Sequence, residues 1–405
     1  MALARPGALL EELDRTLHDR PFTVEMWDGS ALPATNGAGG PQFRVKRPQA
    51  IAQALRAPGQ LGLGRAYVAG DLEVSDLDAV IALLDGWKPP PLGRAAKARL
   101  TLAAVKAAGL TPPPRRPDSE LVPRGRRHSK ERDARSVRHH YDVSNEFFAL
   151  FLDPSMTYSC AVFRDGAQTL DDAQRAKHEM VCRKLALQPG ERVLDVGCGW
   201  GAFALHAARE HGVHVTGITL SEPQARLARE RAEEAGVGDR VAVRVMDYRD
   251  VPAGETYDAV ASIGMVEHVG VVQIDEYARN LARVLRPGGR LLNHGIARLR
   301  HSDPEAGPFS ERYVFPDAAP LHLSRSTLAL ERAGFVTEHV EGFAADYAQT
   351  LTHWIDRLDS NLDEARRLAG DERVRVWRLY LRAARNGFQT GFTSIYQALC
   401  RLPEE

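Results

Sequence analysis

The chain reads as an α/β protein built on a doubly wound sheet and preceded by a small α+β domain. Three observations predict this. Apolar strand-like runs at 191–197, 213–219, 241–246, 257–263 and 289–296 alternate with helical stretches near 201–211, 222–236 and 272–285. The first of these strands runs straight into a glycine-rich turn, Gly197-Cys198-Gly199-Trp200-Gly201. A Pro-rich, basic stretch at 89–138 separates this region from a front segment with different patterning. Crossovers of this kind between strands of one sheet call for parallel pairing.

Composition agrees with two globular parts. A length of 405 residues exceeds a usual single core, 44% hydrophobic residues can fill two, and 53 basic residues against 53 acidic ones argue against a dedicated nucleic-acid surface. Cys160, Cys182, Cys198 and Cys400 are scattered without a C-x-x-C pair, so neither a disulfide framework nor a zinc site is expected, and no metal is assigned. A basic and apolar leader is not apparent, and no run approaches the length of a membrane span. The expected location is the cytoplasm, with any membrane contact peripheral.

Residues 1–88 form the front domain. Segments 22–28 and 43–47, joined through a Gly-rich turn near 36–40, predict a hairpin, and Ala52–Leu55 and Leu77–Leu84 predict helices. No titratable cluster marks it for chemistry, so it is assigned to lipid binding or support. Residues 89–138 follow as a linker: Pro89-Pro90-Pro91, a helical apolar stretch, Pro112-Pro113-Pro114, and a basic run holding Arg115, Arg116, Arg124, Arg126, Arg127, Lys130, Arg132, Arg135 and Arg138. Such a segment is expected to form no core. It reads either as a solvated connection or as a strip attracting anionic phospholipid at roughly 1 kcal/mol per basic residue.

Residues 139–405 carry the chemistry. Gly197, Gly199 and Gly201 let backbone N–H groups approach a ligand at a helix start. The spacing is G-x-G-x-G rather than the dinucleotide G-x-G-x-x-G, and Asp195 at the strand end would repel a pyrophosphate. Both features favour a cationic ligand without phosphate, S-adenosylmethionine; the plainer alternative is a turn that only packs helix on strand. Ligands of such sheets sit beyond the carboxyl ends of the strands. There Thr219 and Gln224 can bond a ribose, while Ser221 and Pro223 read as cap and first-turn residues of the next helix. Asp247 can accept from an adenine amino group and Tyr248 can stack on the base, although Asp is also a common turn residue. Glu267-His268 at the end of the fourth strand suggests an active-site floor. His294 at the end of the fifth is either part of that floor or a buried, backbone-satisfied histidine.

These pieces occur with "HYDVSNEFF" at 140–148, "DPSMTYSCAVF" at 153–163, "GITLS" at 217–221, "DYRD" at 247–250, "MVEHVG" at 265–270 and "ADYAQTLTHW" at 345–354. As a set they resemble the cyclopropane-fatty-acyl-phospholipid synthases and mycolic acid cyclopropane synthases over residues 138–400. Arg65–Val74 more weakly resembles the front domain of the phospholipid-acting members. The resemblance implies a class I methyltransferase-like sheet with helical acyl-binding additions. It also implies methyl transfer from S-adenosylmethionine to the double bond of an esterified acyl chain, with bicarbonate as base. Carried over by residue, the bicarbonate site falls on Cys160, Glu267, His294, Ile296 and Tyr347. The cofactor site falls on Tyr158, Ser159, the glycine turn, Thr219 to Gln224, and Tyr248 with Arg249, the last at a position that varies in the family.

The implied partner is an unsaturated phospholipid at an anionic membrane surface, with no nucleic acid. A homodimer stays open, as does a partner reductase if a methylene branch forms instead of a cyclopropane ring. A small-molecule methyltransferase would share the glycine turn but act on N, O or S. Helical periodicity from Asp346 to Leu402, with Trp354, Trp377, Tyr380, Phe388 and Tyr396, predicts an acyl-chain tunnel, and plain core packing accounts for the same aromatics.

Overall fold

The computed structural model describes residues 6–404 except 36, 38–39, 110–113, 123–124, 142, 165 and 301–306. In chain order come α1 (Gly7–Thr16), β1 (Thr23–Glu25), β2 (Ala31–Leu32), β3 (Gln42–Val45), α2 (Gln49–Arg56), α3 (Gln60–Val68), β4 (Leu72–Val74), α4 (Leu77–Gly86) and α5 (Arg94–Ala108). Next are α6 (Lys130–Tyr141), α7 (Asn145–Ala149), α8 (Leu170–Lys184), β5 (Arg192–Val196), α9 (Ala202–His211), β6 (His214–Thr219), α10 (Glu222–Glu234), β7 (Val241–Val245), β8 (Tyr257–Ile263), α11 (Val266–Arg283) and β9 (Leu285–Arg298). The last are α12 (Pro308–Tyr313), α13 (Leu323–Arg332), β10 (Val336–Gly342), α14 (Ala344–Ser360), α15 (Leu362–Gln389) and β11 (Thr393–Arg401). Two units divide the chain: Met1–Leu121 with Gly307–Tyr313 and Ala369–Ala383, and Val122–Ala306 with Val314–Leu368 and Ala384–Glu405.

The first unit holds a four-stranded sheet of order β2-β1-β3-β4. The expected hairpin is corrected here. β1 turns back onto β2 in antiparallel register through Asp28-Gly29, where the Asp28 carboxylate accepts from the Ser30 N–H. β3 instead runs parallel to β1, with Thr23 opposite Gln42. The Asp-Gly pair is the tight hairpin signal; the glycines near 36–40 belong to the longer crossover that a parallel pair requires. The linker reading also changes over 94–108. Ala103, Ala104 and Ala107 of α5 join Leu9, Met26, Val45 and Leu72 in one apolar core, because alanine lets the helix backbone approach closely. Arg124 and the Pro112-Pro113 pair lie outside the described residues.

One polar device sits inside this unit. The Arg65 guanidinium grips the Glu120 carboxylate through two hydrogen bonds of 2.7 and 2.6 Å, and the Tyr313 hydroxyl donates to the same carboxylate at 3.2 Å. All three residues are buried.

The second unit holds a seven-stranded sheet of order β10-β11-β9-β8-β5-β6-β7. β5 to β9 are mutually parallel, as the short crossovers require. β11 breaks the expectation: it lies antiparallel between β9 and β10. Helical periodicity to Leu402 therefore ends early, at Gln389. The misreading has a cause. In β11 both faces are covered, so Ser394, Ile395, Gln397, Ala398 and Cys400 are all buried, a spacing that imitates a helix. α8, α9 and α10 supply one apolar layer against the sheet, and α11 and α13 another. The aromatics expected to line one tunnel divide between the units, with Trp377 and Tyr380 in the first and Trp354, Phe388 and Tyr396 in the second.

Arg65→Met strands a buried carboxylate and is expected to cost about 3–5 kcal/mol, read as a lower chemical-denaturation midpoint. Adding Glu120→Leu should restore most of that loss, and a double variant no better than the single one would contradict the pairing argument.

Candidate active site

β5 delivers Asp195 to the rim and hands the chain to the glycine turn. Positive φ angles of 79° at Gly197, 53° at Gly199 and 82° at Gly201 explain the residue type. Their surroundings separate their roles. A Cβ on Gly199 would meet nothing within 4 Å, so a side chain there projects into the pocket. A Cβ on Gly201 would collide with Leu205 and Ala228, so Gly201 serves the packing of α9 on α10 and does not line the pocket. The other cofactor-site expectations, Tyr158, Ser159, Asp195, Gly197, Thr219, Gln224, Asp247 and Tyr248, all face one cavity.

Their partners define what each can do. Thr219 Oγ1 donates to Gln224 Oε1 at 2.8 Å, which turns the amide nitrogen of Gln224 away as a donor. Ser221 caps α10 by accepting from the Gln224 N–H. Asp247 takes hydrogen bonds from the Arg249 backbone N–H at 2.9 Å and from its guanidinium at 2.8 and 2.6 Å. Burial alone would raise the Asp247 carboxyl, but these bonds hold it below the usual range. Arg249 also reaches Asp133 at 2.9 Å, so it organises the wall around Tyr248.

The five residues carried over as a bicarbonate site do not line this cavity. Phe343 joins three of them. The Cys160 thiol points to its carbonyl at 3.7 Å, its ring sits 5.8 Å from that of His294, and its carbonyl accepts from the Tyr347 N–H in the first turn of α14. Glu267 opens α11 and packs on β9 so closely that a Cβ on Gly295 would stand 3.1 Å from Oε2. Its carboxyl is raised to about 7 by burial, against which backbone hydrogen bonds of Glu267 itself and Ile296 act. Oε2 of Glu267 and Nε2 of His294 are both buried without a hydrogen-bond partner.

The tautomer of His294 follows from its neighbours. Lys184 Nζ donates to Gln397 Oε1 at 2.7 Å, which turns Gln397 Nε2 toward His294 Nδ1 at 3.5 Å. Burial lowers His294 to about 3, so the ring is neutral and carries its proton on Nε2. Glu267 thus keeps one carboxyl oxygen and His294 one ring N–H buried and unpaired. Cys160 is no nucleophile, since burial drives its thiol far above the usual range.

Lys177 escaped the sequence reading. It is fully buried on α8, lines the cofactor cavity and donates to Ser159 Oγ at 3.1 Å. Burial lowers it to about 8, with Asp153, Cys160 and Asp195 opposing the shift. Burial likewise raises Asp195 to about 7, Lys177 opposing, and its Oδ2 has no hydrogen-bond partner. The signal was present: Leu170, Ala173, Gln174, Lys177, His178, Val181 and Cys182 form the buried stripe of α8, and a lysine on that stripe is out of place in a purely structural helix.

The aromatic wall accounts for the "HYDVSNEFF" motif beyond its first residues. Ser144 caps α7, Asn145 accepts from the Trp200 indole at 2.7 Å, and Phe148 meets Trp200 and Tyr158 with ring centroids 5.0 and 5.6 Å apart. Tyr158 in turn stacks on Trp354 at 5.2 Å, and Trp354 meets Tyr347 at 6.0 Å.

Comparison with known proteins places this arrangement. Residues 128–398 match the family described as mycolic acid cyclopropane synthetase. The chain is 34% identical over 367 residues to the cyclopropane-fatty-acyl-phospholipid synthase of Escherichia coli, covering 90% of this chain and 89% of that protein. It is 32% identical over 401 residues to the tuberculostearic acid methyltransferase UfaA1 of Mycobacterium tuberculosis, covering 95% and 88%. The solved structure of mycolic acid cyclopropane synthase CmaA1 complexed with SAH and CTAB superposes with a TM-score of 0.63 at 31% identity, covering 66% of this chain and 98% of that one.

Gly199→Val is expected to weaken S-adenosylhomocysteine binding at least about tenfold by calorimetry, without lowering the unfolding midpoint by more than the strain of one left-handed residue. A second outcome concerns pH. From about pH 4.5 to 7 the folded chain keeps a proton on Glu267 that the unfolded chain has lost, so this contribution to stability falls as pH rises and is gone above the folded value. Asp195 acts in the same direction. Glu267→Gln should therefore raise the calorimetric unfolding midpoint at pH 8 and change it little near pH 4.5; equal shifts at both would contradict the assignment.

Proposed function

Since the chain belongs to the mycolic acid cyclopropane synthetase family and is an S-adenosylmethionine-dependent methyltransferase acting in lipid modification, we propose that it methylates the double bond of an unsaturated phospholipid acyl chain and closes a cyclopropane ring. The observation that carries this reading is that Glu267 Oε2 and His294 Nε2–H are each buried without a hydrogen-bond partner. Together they suit a small anion bearing both an O–H and bare oxygens, which bicarbonate is.

When bound, the cofactor supplies an electrophilic methyl group and bicarbonate a base for the methyl proton. The residues do the rest. Glu267 would accept from the bicarbonate hydroxyl and so orient it, with the Ile296 backbone holding the Glu267 carboxyl in place. His294 would donate from Nε2, and Tyr347 from its hydroxyl. Cys160 stays a thiol and shapes the floor. An alkene is a weak, uncharged nucleophile, so rate must come from alignment and exclusion of water rather than from deprotonating an acceptor. The resulting carbocation on the acyl chain would face aromatic rings such as Tyr158, Tyr347 and Phe315, each worth about 0.5–2 kcal/mol.

A methylene branch is the second reading, favoured by the likeness to a tuberculostearic acid methyltransferase. It differs in a hydride shift to the cationic carbon before a proton is lost, and a partner reductase would be needed to turn the methylene into a methyl branch. Activity on a small amine or phenol fits less well, because burial lowers His268 and His294 to about 4 and 3, leaving both too weakly basic to take a proton from such an acceptor.

We also assign peripheral membrane docking to the front unit and the basic run. Part of that run has other work: Arg127 and Arg132 pair with Asp317, and Lys130 with Asp250. Arg115, Arg116 and Arg126 are the candidates left for headgroups among the described side chains. No helix of the described residues is long and apolar enough to cross a membrane.

Purified enzyme given methyl-labelled cofactor and unsaturated phosphatidylglycerol vesicles should place label in the fatty chains, and NMR of the product should show ring methylene protons. Vinylidene signals would establish the branched alternative; unlabelled chains would remove both. Glu267→Gln should lower turnover about 100-fold or more with cofactor affinity nearly unchanged.

A further inference from the structure

On the side of α8 that packs against α9, three metal-ligating side chains gather, and a carboxylate bonds to two of them. Glu179 and Cys182 stand one turn apart on α8, and His206 and His211 project from α9. The Nε2 atoms of His206 and His211 lie 3.4 and 2.9 Å from the same oxygen, Glu179 Oε2. One donor atom each from Cys182, His206 and His211 lies within 4.8 Å of the other two. In a tetrahedral zinc centre with bonds of about 2.0–2.3 Å, neighbouring donors are about 3.3–3.8 Å apart, so modest side-chain rotation gathers these atoms around one ion.

Burial is graded across the cluster. Cys182 is inaccessible, the His206 and His211 side chains are 10% and 20% exposed, and that of Glu179 is 38% exposed. One thiolate, one carboxylate and two neutral imidazoles cancel a divalent charge completely, which suits a half-buried position.

We propose that Glu179, Cys182, His206 and His211 form a structural site for a zinc-class divalent cation that fastens α8 to α9. The ion is not a reactant. His178, with its ring 5.7 Å from that of His206, is spoken for by Thr157 Oγ1 at 3.0 Å and is left out of the ligand set. Without an ion the same groups would form a plain carboxylate–imidazole cluster, with Arg183 3.8 Å from Glu179.

The full chain, stripped with chelator and titrated with Co²⁺, decides between these. The expected result is one equivalent bound, with a thiolate-to-cobalt charge-transfer band and tetrahedral visible absorption, both removed by excess Zn²⁺. Saturating Zn²⁺ should raise the melting temperature by roughly 2–5 °C. Cys182→Ala, shown to be folded by unchanged S-adenosylhomocysteine binding, should lose the band, and His206→Gln and His211→Gln should each weaken binding on the order of tenfold or more. No saturable binding, binding without the band, or a band that survives Cys182→Ala would each overturn the proposal.

Discussion

Ionisable groups held out of water set the terms for this site. Asp195, Lys177, Glu267 and His294 are all buried, and each is displaced toward its neutral form by loss of solvent. Such groups are costly to fold around unless something meets them. Lys177 is met by Ser159 and sits within electrostatic reach of Asp195. Glu267 and His294 keep one atom each unsatisfied. Unsatisfied donors and acceptors in a buried interior are binding capacity for a polar guest.

Sheet geometry decides where these groups stand. β9 is the spine: its register sets His294 opposite Ile263 on one side and Gln397 on the other. Ser262, Tyr277 and Asn293 lock the adjoining ends of β8 and β9 through hydrogen bonds of 2.6 and 3.1 Å. From the far side Lys184, pinned by Glu341 at 2.7 Å, orients Gln397 and through it the imidazole. A proton on one ring nitrogen is thus traced back through three side chains to a salt bridge at the sheet edge.

Much of this was legible from residues alone. The alternation after residue 190 predicted the parallel strands within a few residues, because apolar runs and glycine turns are local signals. The capping role of Ser221 and the convergence of Thr219, Gln224 and Tyr248 on one rim were likewise local. Three things were hidden. β11 is buried on both faces, so its pattern lacks the alternation that marks a strand. α5 buries only alanines, which hydropathy barely registers, and its neighbouring prolines suggested a linker. The relay to His294 depends on Gln397 and Lys184, more than a hundred residues away, which only strand pairing brings together. The distinction between Gly199 and Gly201 was also invisible, since one faces open space and the other Leu205.

The placement of β11 bears on how the protein assembles. The strand follows every other element in the chain, yet it is inserted between β9 and β10, which come earlier. Until it docks, β9 presents an unpaired edge carrying His294, an invitation to intermolecular strand addition. During synthesis β5 to β9 emerge before β11, so the imidazole's support through Gln397 arrives after the strand that carries it. A chaperone shielding that exposed edge would have its greatest value in the interval before β11 docks.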